Sequence, residues 1–123
     1  MKNNKILGVG IDIEDISRFK KLELNKNNRF LNKIFTKVEL DYCFSKKNVA
    51  SSLATKFAGK EAVIKAFSLI DNVTLNYKEI EVTNDSSGAP GIRLRDKTKK
   101  YQVLISLSNE KDKTVGVAIL INR

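Results

Sequence analysis

The first strand is predicted by an alternation of side chains near the start of the chain. Residues 5–13, "KILGVGIDI", divide between one face with Leu7, Val9, Ile11 and Ile13 and another with Ile6, Gly8, Gly10 and Asp12. The second face is nearly bare of side chains, so another backbone or a ligand can come close to it. Asp12 lies between isoleucines, and desolvating its carboxylate costs several kcal/mol unless a partner compensates. The pattern predicts a strand whose acidic residue needs a partner.

Helical patterns follow this strand. Glu14 or Asp15 can cap a first short helix. Residues 27–35, "NNRFLNKIF", predict one or two further helical turns. Their inward positions are Phe30, Leu31, Ile34 and Phe35. Residues 36–39, "TKVE", have capping-box spacing and predict the start of another helix. The longest helix is predicted over residues 49–69, "VASSLATKFAGKEAVIKAFSL".

The second half of the chain has the pattern of two hairpins. In the first, residues 75–82 and 91–95 flank a turn-rich segment, and in the second, residues 100–108 and 114–122 flank "NEKDK". The apolar positions Val103, Ile105 and Leu107 alternate against Val115, Val117, Ile119 and Ile121. We therefore predict one α+β domain over residues 1–123. In it, a mainly antiparallel sheet packs on one long helix and shorter helices.

Composition narrows the class of protein. With 41% hydrophobic and 30% charged residues in 123, the chain fits one soluble globular domain, and no segment approaches the roughly 18 apolar residues of a membrane span. The single cysteine, Cys43, excludes an internal disulfide and is consistent with a reducing, cytoplasmic location; its aromatic neighbours favour a buried structural thiol. Without histidine, His-based catalysis is excluded. The net charge of +9 indicates an anionic partner or a lysine-rich composition without function.

The glycine-rich segments do not fit known phosphate-binding loops. "GVG" at residues 8–10 begins like the dinucleotide fingerprint, but the third glycine would fall at Ile13, and no regular βαβ pattern follows. "GAPGIRLR" at residues 88–95 lacks the lysine and the Ser or Thr that end a Walker A loop. Both nucleotide-loop assignments are excluded.

The long helix carries a second misplaced carboxylate. At about 100° per residue with Phe57 at zero, Glu61 falls near 40°, inside the apolar stripe. Lys65 borders the stripe on one side, and Lys60 and Lys56 border it on the other. A surface pair between Glu61 and Lys65 would be worth only a few tenths of a kcal/mol and would not suit the inward direction of Glu61.

Asp12 and Glu61 together suggest a metal site. Two carboxylates on rigid elements, without histidine or paired cysteines, suit a hard cation such as Mg²⁺, with Mn²⁺ as the alternative. Mg²⁺ completes its coordination with water and substrate phosphates, and nearby lysines would contact the rest of such a substrate. The other interpretation is a buried salt bridge from Asp12 to Lys60 or Lys65.

At these residues the chain resembles the holo-acyl-carrier-protein synthase family, the small type of 4′-phosphopantetheinyl transferase. "GVGIDIEDISR" matches the strand motif of that family, and "KFAGKEAVIKAF" matches its helix motif. "RFLNKIFTKVELDYC", "SSGAPGIRL" and "VLISLSN" follow family segments in the same order over nearly the whole chain. The resemblance implies transfer of phosphopantetheine from coenzyme A (CoA) to a serine of acyl carrier protein, with release of adenosine 3′,5′-bisphosphate.

The resemblance also implies roles for individual residues. Asp12 and Glu61 would hold Mg²⁺ at the CoA pyrophosphate, and Lys65 would neutralise the leaving group. Arg18 and Arg29 would dock the acidic carrier protein. The implied CoA-binding residues are Lys46, Lys56, Lys60, Lys65, Gly88, Pro90, Ser106, Ser108 and Asn109. Family members are trimers with interfacial active sites, so the glycine-faced strand and the helix can meet across chains.

The chain departs from the family pattern at three positions. Asn109 replaces the usual histidine, Ser68 replaces a frequent glycine, and Lys56 replaces a frequent arginine. The last change exchanges a bidentate fork for a point charge. The general base stays open between a metal-bound water and a carboxylate such as Asp12. The alternatives are a non-enzymatic nucleic-acid-binding module, which lacks a recognised motif here, and a trimer that has lost activity.

Overall fold

The computed structural model describes residues 5–95 and 98–122. The strands are β1 (Ile6–Asp15), β2 (Ile80–Asn84), β3 (Pro90–Leu94), β4 (Tyr101–Glu110) and β5 (Lys113–Asn122). The α-helices are α1 (Asn28–Ile34), α2 (Lys37–Phe44) and α3 (Val49–Phe67), and short 3₁₀ helices span Ile16–Phe19 and Tyr77–Glu79. An antiparallel sheet of order β1-β5-β4 packs on α3, and β2 and β3 form a second antiparallel pair. The predicted α+β class is confirmed.

The glycines of β1 allow the strand to lie directly on the backbone of α3. A Cβ atom added at Gly8 would sit 2.0 Å from the carbonyl oxygen of Ala66, and one added at Gly10 would sit 1.8 Å from that of Ala62. Both distances are far inside van der Waals contact, so the close approach requires glycine. The predicted approach of another backbone to this face is confirmed. The two elements meet within one chain, so the suggestion that they meet across chains is wrong.

The long helix is buried on nearly all sides. Its inner face packs on the sheet, while α1, α2 and the first 3₁₀ helix cover another side through a cluster that includes Leu31, Phe35 and Phe57. The predicted capping box of α2 is confirmed: the Thr36 side chain accepts a hydrogen bond from the backbone N–H of Glu39, and the Glu39 side chain accepts one from the backbone N–H of Thr36. Cys43 is buried, which raises the pKa of its thiol to about 12 and agrees with a structural role.

Three local predictions are wrong. Phe30 is 47% exposed rather than inward, and it lines a surface groove with Arg29 and Lys33. Asp15 makes no side-chain capping bond to the first 3₁₀ helix. The segment that begins the first predicted hairpin is a 3₁₀ helix at Tyr77–Glu79, and the strand starts only at Ile80.

The face of the second hairpin also differs from the prediction. Val103, Ile105 and Leu107 point towards the helix, but they pair with Leu120, Ala118 and Gly116 of β5. The β-branched residues of β5 lie on the opposite face: Val115, Val117, Ile119 and Ile121. Beside them, five strongly exposed apolar side chains complete what we call the outer sheet face: Ile6, Val9, Ile11, Ile13 and Leu104. The predicted faces of Ile6 and Leu7 are wrong: the register of β1 shifts between Ile6 and Gly8, so Ile6 is exposed and Leu7 packs on the inner cluster. The main sheet therefore has one face on α3 and one apolar face that α3 does not cover.

Candidate functional site

Asp12 lies on the helix-facing side of β1, opposite Gly116 of β5. Only 9% of it is exposed. Its Oδ1 atom accepts a hydrogen bond from Nζ of Lys65 at 3.2 Å, and the same Nζ donates to the carbonyl oxygen of Ile11 at 3.0 Å. The other oxygen, Oδ2, is buried, and within the described residues no N–H group or alcohol or phenol hydroxyl donates to it. The Asp12–Lys65 salt bridge anticipated as an alternative is therefore present, but it satisfies only one of the two carboxylate oxygens.

Glu61 approaches this region from α3. It is half-buried, and its Oε1 atom accepts a 2.5 Å hydrogen bond from the hydroxyl group of Tyr77. Lys65 contacts Asp12 rather than Glu61, so the surface pair within the helix, which the sequence disfavoured, is absent, and a contact between helix and strand takes its place. The hydrogen bond to Glu61, burial and the charges of Glu61, Glu14 and Asp12 raise the pKa of Tyr77 to about 12. Tyr77 therefore remains a donor at neutral pH.

Glu14 is a third carboxylate in this cluster. It is 8% exposed, points to the same side of β1 as Asp12, and accepts a 2.6 Å bond from Nη1 of Arg18. Burial is the main cause that raises the pKa of Glu14 to about 7. The adjacent Asp12 carboxylate adds to the rise, because it hydrogen-bonds to the protonated form of Glu14 and repels the ionised form. The charge of Glu61 also raises this pKa, whereas the charge of Arg18 lowers it. Three carboxylates thus interact electrostatically where β1 faces α3. We call Asp12, Glu14 and Glu61 the carboxylate cluster.

The carboxylate cluster fits a hard cation. The buried Oδ2 of Asp12 needs a positive partner or a proton. Burial, and after it the neighbouring carboxylates, raise the pKa of Glu14, and a cation bound among these groups would offset both effects. Within residues 5–95 and 98–122, no three His, Cys, Asp or Glu side chains are grouped so that they could hold a metal ion by themselves. Mg²⁺ typically takes one or two protein carboxylates and completes its octahedron with water and substrate phosphate, so Asp12 and Glu61 would be enough protein ligands for it.

A surface groove, separate from the carboxylate cluster, brings together several residues predicted to bind CoA. Gly88, Pro90, Ser108 and Asn109 line a groove of about 270 Å³ together with Thr55. Asn109 is held from three sides. Its Oδ1 accepts hydrogen bonds from Thr55 at 3.0 Å and Thr114 at 2.6 Å, and its Nδ2 donates to Ser51 at 3.0 Å. Ser106 is exposed two positions before Ser108 on the same strand. Asn109, which stands where the family motif has a histidine, thus presents a fixed side-chain amide that does not titrate.

The predicted lysine contacts have three different surroundings. Lys46 is exposed, and its Nζ lies 4.5 Å from the centroid of the Tyr42 ring. Lys56 lies 4.4 Å from the same ring but is buried, donates to the carbonyl oxygen of Val82 and to Asn84, and has its pKa lowered by burial. Lys56 thus lines the floor of a neighbouring groove, while Lys46 remains free to approach a phosphate.

The predicted CoA contact of Lys60 is wrong for this chain. Lys60 is completely buried and forms a 2.7 Å ion pair with Glu39. It also donates to the carbonyl oxygens of Tyr77 at 2.8 Å and Ile80 at 2.5 Å. An ammonium group has three donors, so none is left for a phosphate. The other Glu39 oxygen accepts the backbone N–H of Val82 at 2.8 Å, which makes Lys60 part of a structural network.

The predicted docking residues lie on the outside of the molecule. Arg29 is exposed and lines a shallow groove with Phe30 and Lys33, while the Arg18 side chain is 62% exposed and paired with Glu14. A larger groove of about 620 Å³ lies between α1 and the 3₁₀ helix at Tyr77–Glu79. Its lining combines apolar and basic side chains, among them Phe30, Ile34, Leu75, Lys33, Lys78 and Arg95.

The sequence analysis missed two residues of the site: Glu14, which belongs to the carboxylate cluster, and Tyr77, which hydrogen-bonds to Glu61. Glu14 follows Asp12 by two positions, so strand alternation could have placed both on one face. The spacing of Asn76 and Glu79 is that of a capping box, and it could have indicated the short helix that carries Tyr77. No sequence signal pairs Tyr77 with Glu61, because that contact depends on how the 3₁₀ helix packs against α3.

Comparison with known proteins identifies the family. The model of the 4′-phosphopantetheinyl transferase superfamily matches residues 8–119. The chain belongs to this superfamily. It is 43% identical over 115 residues to the holo-[acyl-carrier-protein] synthase of Thermodesulfovibrio yellowstonii, covering 94% of this chain and 98% of the relative. It is 36% identical to the synthase of Aquifex aeolicus over 117 residues, covering 91% and 96%.

Solved structures agree with this assignment. A Bacillus anthracis holo-(acyl-carrier-protein) synthase in complex with CoA (3′,5′-ADP) superposes with a TM-score of 0.79 at 28% identity, covering 96% of this chain and 98% of that one. The Plasmodium yoelii holo-ACP-synthase gives 0.79 at 29% identity and 99% coverage of both chains. The predicted membership and the assignment as an enzyme are confirmed, so the non-enzymatic nucleic-acid-binding alternative is wrong. In the described ranges, no helix has the length and hydrophobicity required to cross a bilayer.

Proposed function

We propose that this enzyme transfers 4′-phosphopantetheine from CoA to a serine of apo-acyl carrier protein. The serine oxygen forms a bond to the phosphorus that carries pantetheine, the pyrophosphate P–O bond breaks, and adenosine 3′,5′-bisphosphate leaves. The serine proton passes to a base at the site. The observation that carries the proposal is the buried Oδ2 of Asp12, which has no N–H donor among the described residues and lies beside two further carboxylates in a member of this family.

Asp12 and Glu61 are the residues that would hold Mg²⁺, with Mn²⁺ as an alternative. When bound, the ion supplies charge neutralisation at the pyrophosphate. Lys65 is half exposed and borders the cluster, so its ammonium group can leave Asp12 and bind the pyrophosphate oxygens. Phosphoryl transfer depends mainly on positioning and electrostatic stabilisation, and these residues provide both. The serine nucleophile comes from the carrier protein, so the enzyme needs no nucleophile of its own.

The nucleotide end of CoA is proposed to bind the groove lined by Gly88, Pro90, Ser108 and Asn109, with Ser106 at its edge. The ammonium groups of Lys46 and Lys56 lie 4.5 and 4.4 Å from the centroid of the Tyr42 ring and would supply positive charge near this end. The groove is small, about 270 Å³, which suggests that further surface comes from a neighbouring subunit. The relative from Bacillus anthracis, described with CoA (3′,5′-ADP), supports this substrate.

The carrier protein is proposed to dock on the basic surface around Arg18 and Arg29. The net charge of +9 would attract an acidic partner and accelerate association. Arg18 connects this surface to the site because it already binds Glu14, beside Asp12. A carrier carboxylate at Arg18 would therefore lie close to the carboxylate cluster.

We further propose that the chain is a single domain that forms a homotrimer in the cytoplasm. The outer sheet face supports association, because Val9, Ile11 and Ile13 are each about 60% exposed along one strand. Burying such a face against other subunits would bring residues of neighbouring chains to the substrate. The buried Cys43 thiol is compatible with a reducing compartment.

The decisive experiment is Mg²⁺-dependent conversion of apo- to holo-carrier protein with CoA, followed by intact mass. We expect the carrier to gain the mass of phosphopantetheine, and we expect chelation of the metal to stop the gain. A properly folded enzyme that modifies none of several carrier proteins would overturn the proposal in favour of a family member that has lost activity. Size-exclusion chromatography with light scattering tests the trimer separately.

A further inference from the structure

The contact between Tyr77 and Glu61 joins a loop element to the proposed metal site. The phenol donates to Oε1 of Glu61 at 2.5 Å. This bond defines which Glu61 oxygen faces the 3₁₀ helix. A carboxylate on a helix can rotate about its side-chain torsions, so a fixed donor on one oxygen restricts the direction of the other.

Tyr77 is itself held at several points. Its ring centroid lies 5.6 Å from that of Phe57, and its carbonyl oxygen accepts the 2.8 Å hydrogen bond from Lys60. Its short helix begins with a capping box, in which the backbone N–H of Asn76 donates to Oε1 of Glu79 at 2.9 Å. The phenol is thus positioned before any ligand binds, and the hydrogen bond to Glu61 costs little additional ordering.

We propose that Tyr77 is a positioning residue that turns the Glu61 carboxylate towards Asp12 and thereby sets the affinity of the site for a divalent cation. The inference rests on the proposed function, because it assumes that Glu61 is a metal ligand. Groups that hydrogen-bond to metal ligands orient them, and their removal typically lowers metal affinity by about 10–100-fold. Tyr77 does not contact the reacting atoms in this assignment, and it acts only through Glu61.

The test compares Tyr77→Phe with Tyr101→Phe. Both changes remove one hydroxyl group, but Tyr101 packs on Phe67 through its ring, away from the carboxylate cluster. The measurement is Mn²⁺ binding by electron paramagnetic resonance, with CoA present and no carrier protein, so that no turnover occurs. We expect about 10–100-fold weaker binding in Tyr77→Phe. We expect Tyr101→Phe to bind like the wild type.

Kinetics distinguish positioning from a structural role. In Tyr77→Phe, the Mg²⁺ concentration for half-maximal activity should rise by the same factor as the Mn²⁺ dissociation constant, and kcat should recover at saturating Mg²⁺. Loss of activity that excess Mg²⁺ cannot restore would indicate a structural defect and overturn the inference. In the Glu61→Gln background, Tyr77→Phe should have no further effect on Mn²⁺ binding, because the group that it positions is already altered.

The outcomes separate this inference from the proposed function. Equal Mn²⁺ affinity in wild type and Tyr77→Phe, with weaker binding in Glu61→Gln, would overturn only the role of Tyr77. Equal affinity in wild type and Glu61→Gln would overturn the metal role of Glu61 and the role of Tyr77 with it. If Tyr77→Phe does not fold, Tyr77→Met provides the second variant, because its flexible apolar side chain also lacks the hydrogen-bond donor and leaves Glu61 intact. We expect similarly weakened Mn²⁺ binding, and unchanged binding in folded Tyr77→Met would overturn the role of Tyr77.

Discussion

Nζ of Lys65 lies 3.2 Å from Oδ1 of Asp12, although 53 positions separate the two residues in the chain. This contact places Lys65, whose side chain is half exposed, at the edge of the carboxylate cluster, while Oδ2 of Asp12 stays buried. A cation that binds Oδ2 would find Lys65 already beside it, where pyrophosphate charge must be neutralised. Under the proposed function, substrate would reach the site from the side of Lys65.

Asp12→Ala and Glu61→Ala should each lower turnover by at least about 10²–10³-fold, the range seen when one electrostatic contact to a transition state is lost. The fold should persist, because each change also removes repulsion from the carboxylate cluster. Turnover is measured by the holo-carrier mass assay and stability by thermal unfolding. Asp41→Ala, which removes an exposed carboxylate paired with Lys37, is the matched control and should leave turnover unchanged. Near-normal activity in either cluster variant would remove its metal role.

Glu14 should make the stability of the metal-free protein depend on pH. Its pKa is raised on folding from 4.5 to about 7, so the folded state binds the proton more tightly than the unfolded state. The resulting stabilisation is complete below about pH 4.5 and is lost as the pH rises through about 7. In the presence of a chelator, the difference in unfolding free energy between wild type and Glu14→Gln should shift across this window. A constant difference would contradict the assignment.

Lys60 and Lys46 offer a matched pair of lysine substitutions. Lys60→Met leaves Glu39 charged and unpaired in the core, so it should cost about 3–5 kcal/mol of unfolding free energy. Lys46→Met should leave stability unchanged but raise the KM for CoA by about tenfold, as expected for one lost charge-assisted phosphate contact. Denaturant unfolding and steady-state kinetics measure the two effects. Weaker CoA binding in folded Lys60→Met than in Lys46→Met would reverse the assignment of Lys60.

Charge reversal at Arg29 should weaken binding of the carrier protein far more than binding of CoA. Arg29 is exposed, so Arg29→Glu changes the docking surface without disturbing a buried partner. We expect the KM for the carrier to rise by about tenfold at low salt and by less at high salt, because exposed charges are screened. Arg18→Glu should act in the same direction but also disturb Glu14. Equal effects on both substrates would contradict the docking assignment.

Local patterns predicted those parts of the fold that depend on neighbouring residues. The alternation in β1 showed that Asp12 is a carboxylate among apolar positions, and the spacing of Thr36 and Glu39 predicted the start of α2. The face of β5 could not be predicted in the same way, because both of its faces carry apolar residues. Which face is inner follows from Gly116, where an added Cβ would lie 2.8 Å from the carbonyl oxygen of Ala58.

The candidate site was predictable only in part for a related reason. Asp12 and Glu61 each interrupt an apolar pattern, and such an interruption can be recognised from the sequence alone. Lys60 borders the same apolar stripe, but its partner Glu39 comes from another helix, so the sequence did not distinguish a buried structural ammonium from a free phosphate ligand. The link from Tyr77 to Glu61 likewise requires the packing of a 3₁₀ helix on α3.

The direct contact of β1 with α3 has a consequence for the dynamics of the enzyme. At Gly8 and Gly10 no side chain separates strand from helix, so there is no rotamer whose rearrangement could let the two elements slide or part. Asp12 and Glu61 are attached to these same two elements. We therefore expect the amide hydrogens of β1 and α3 to exchange with solvent together, in one cooperative unit that opens only near the global unfolding free energy. Substrate entry would then require motion of the surrounding loops, while the spacing of the two carboxylates stays constant throughout the catalytic cycle.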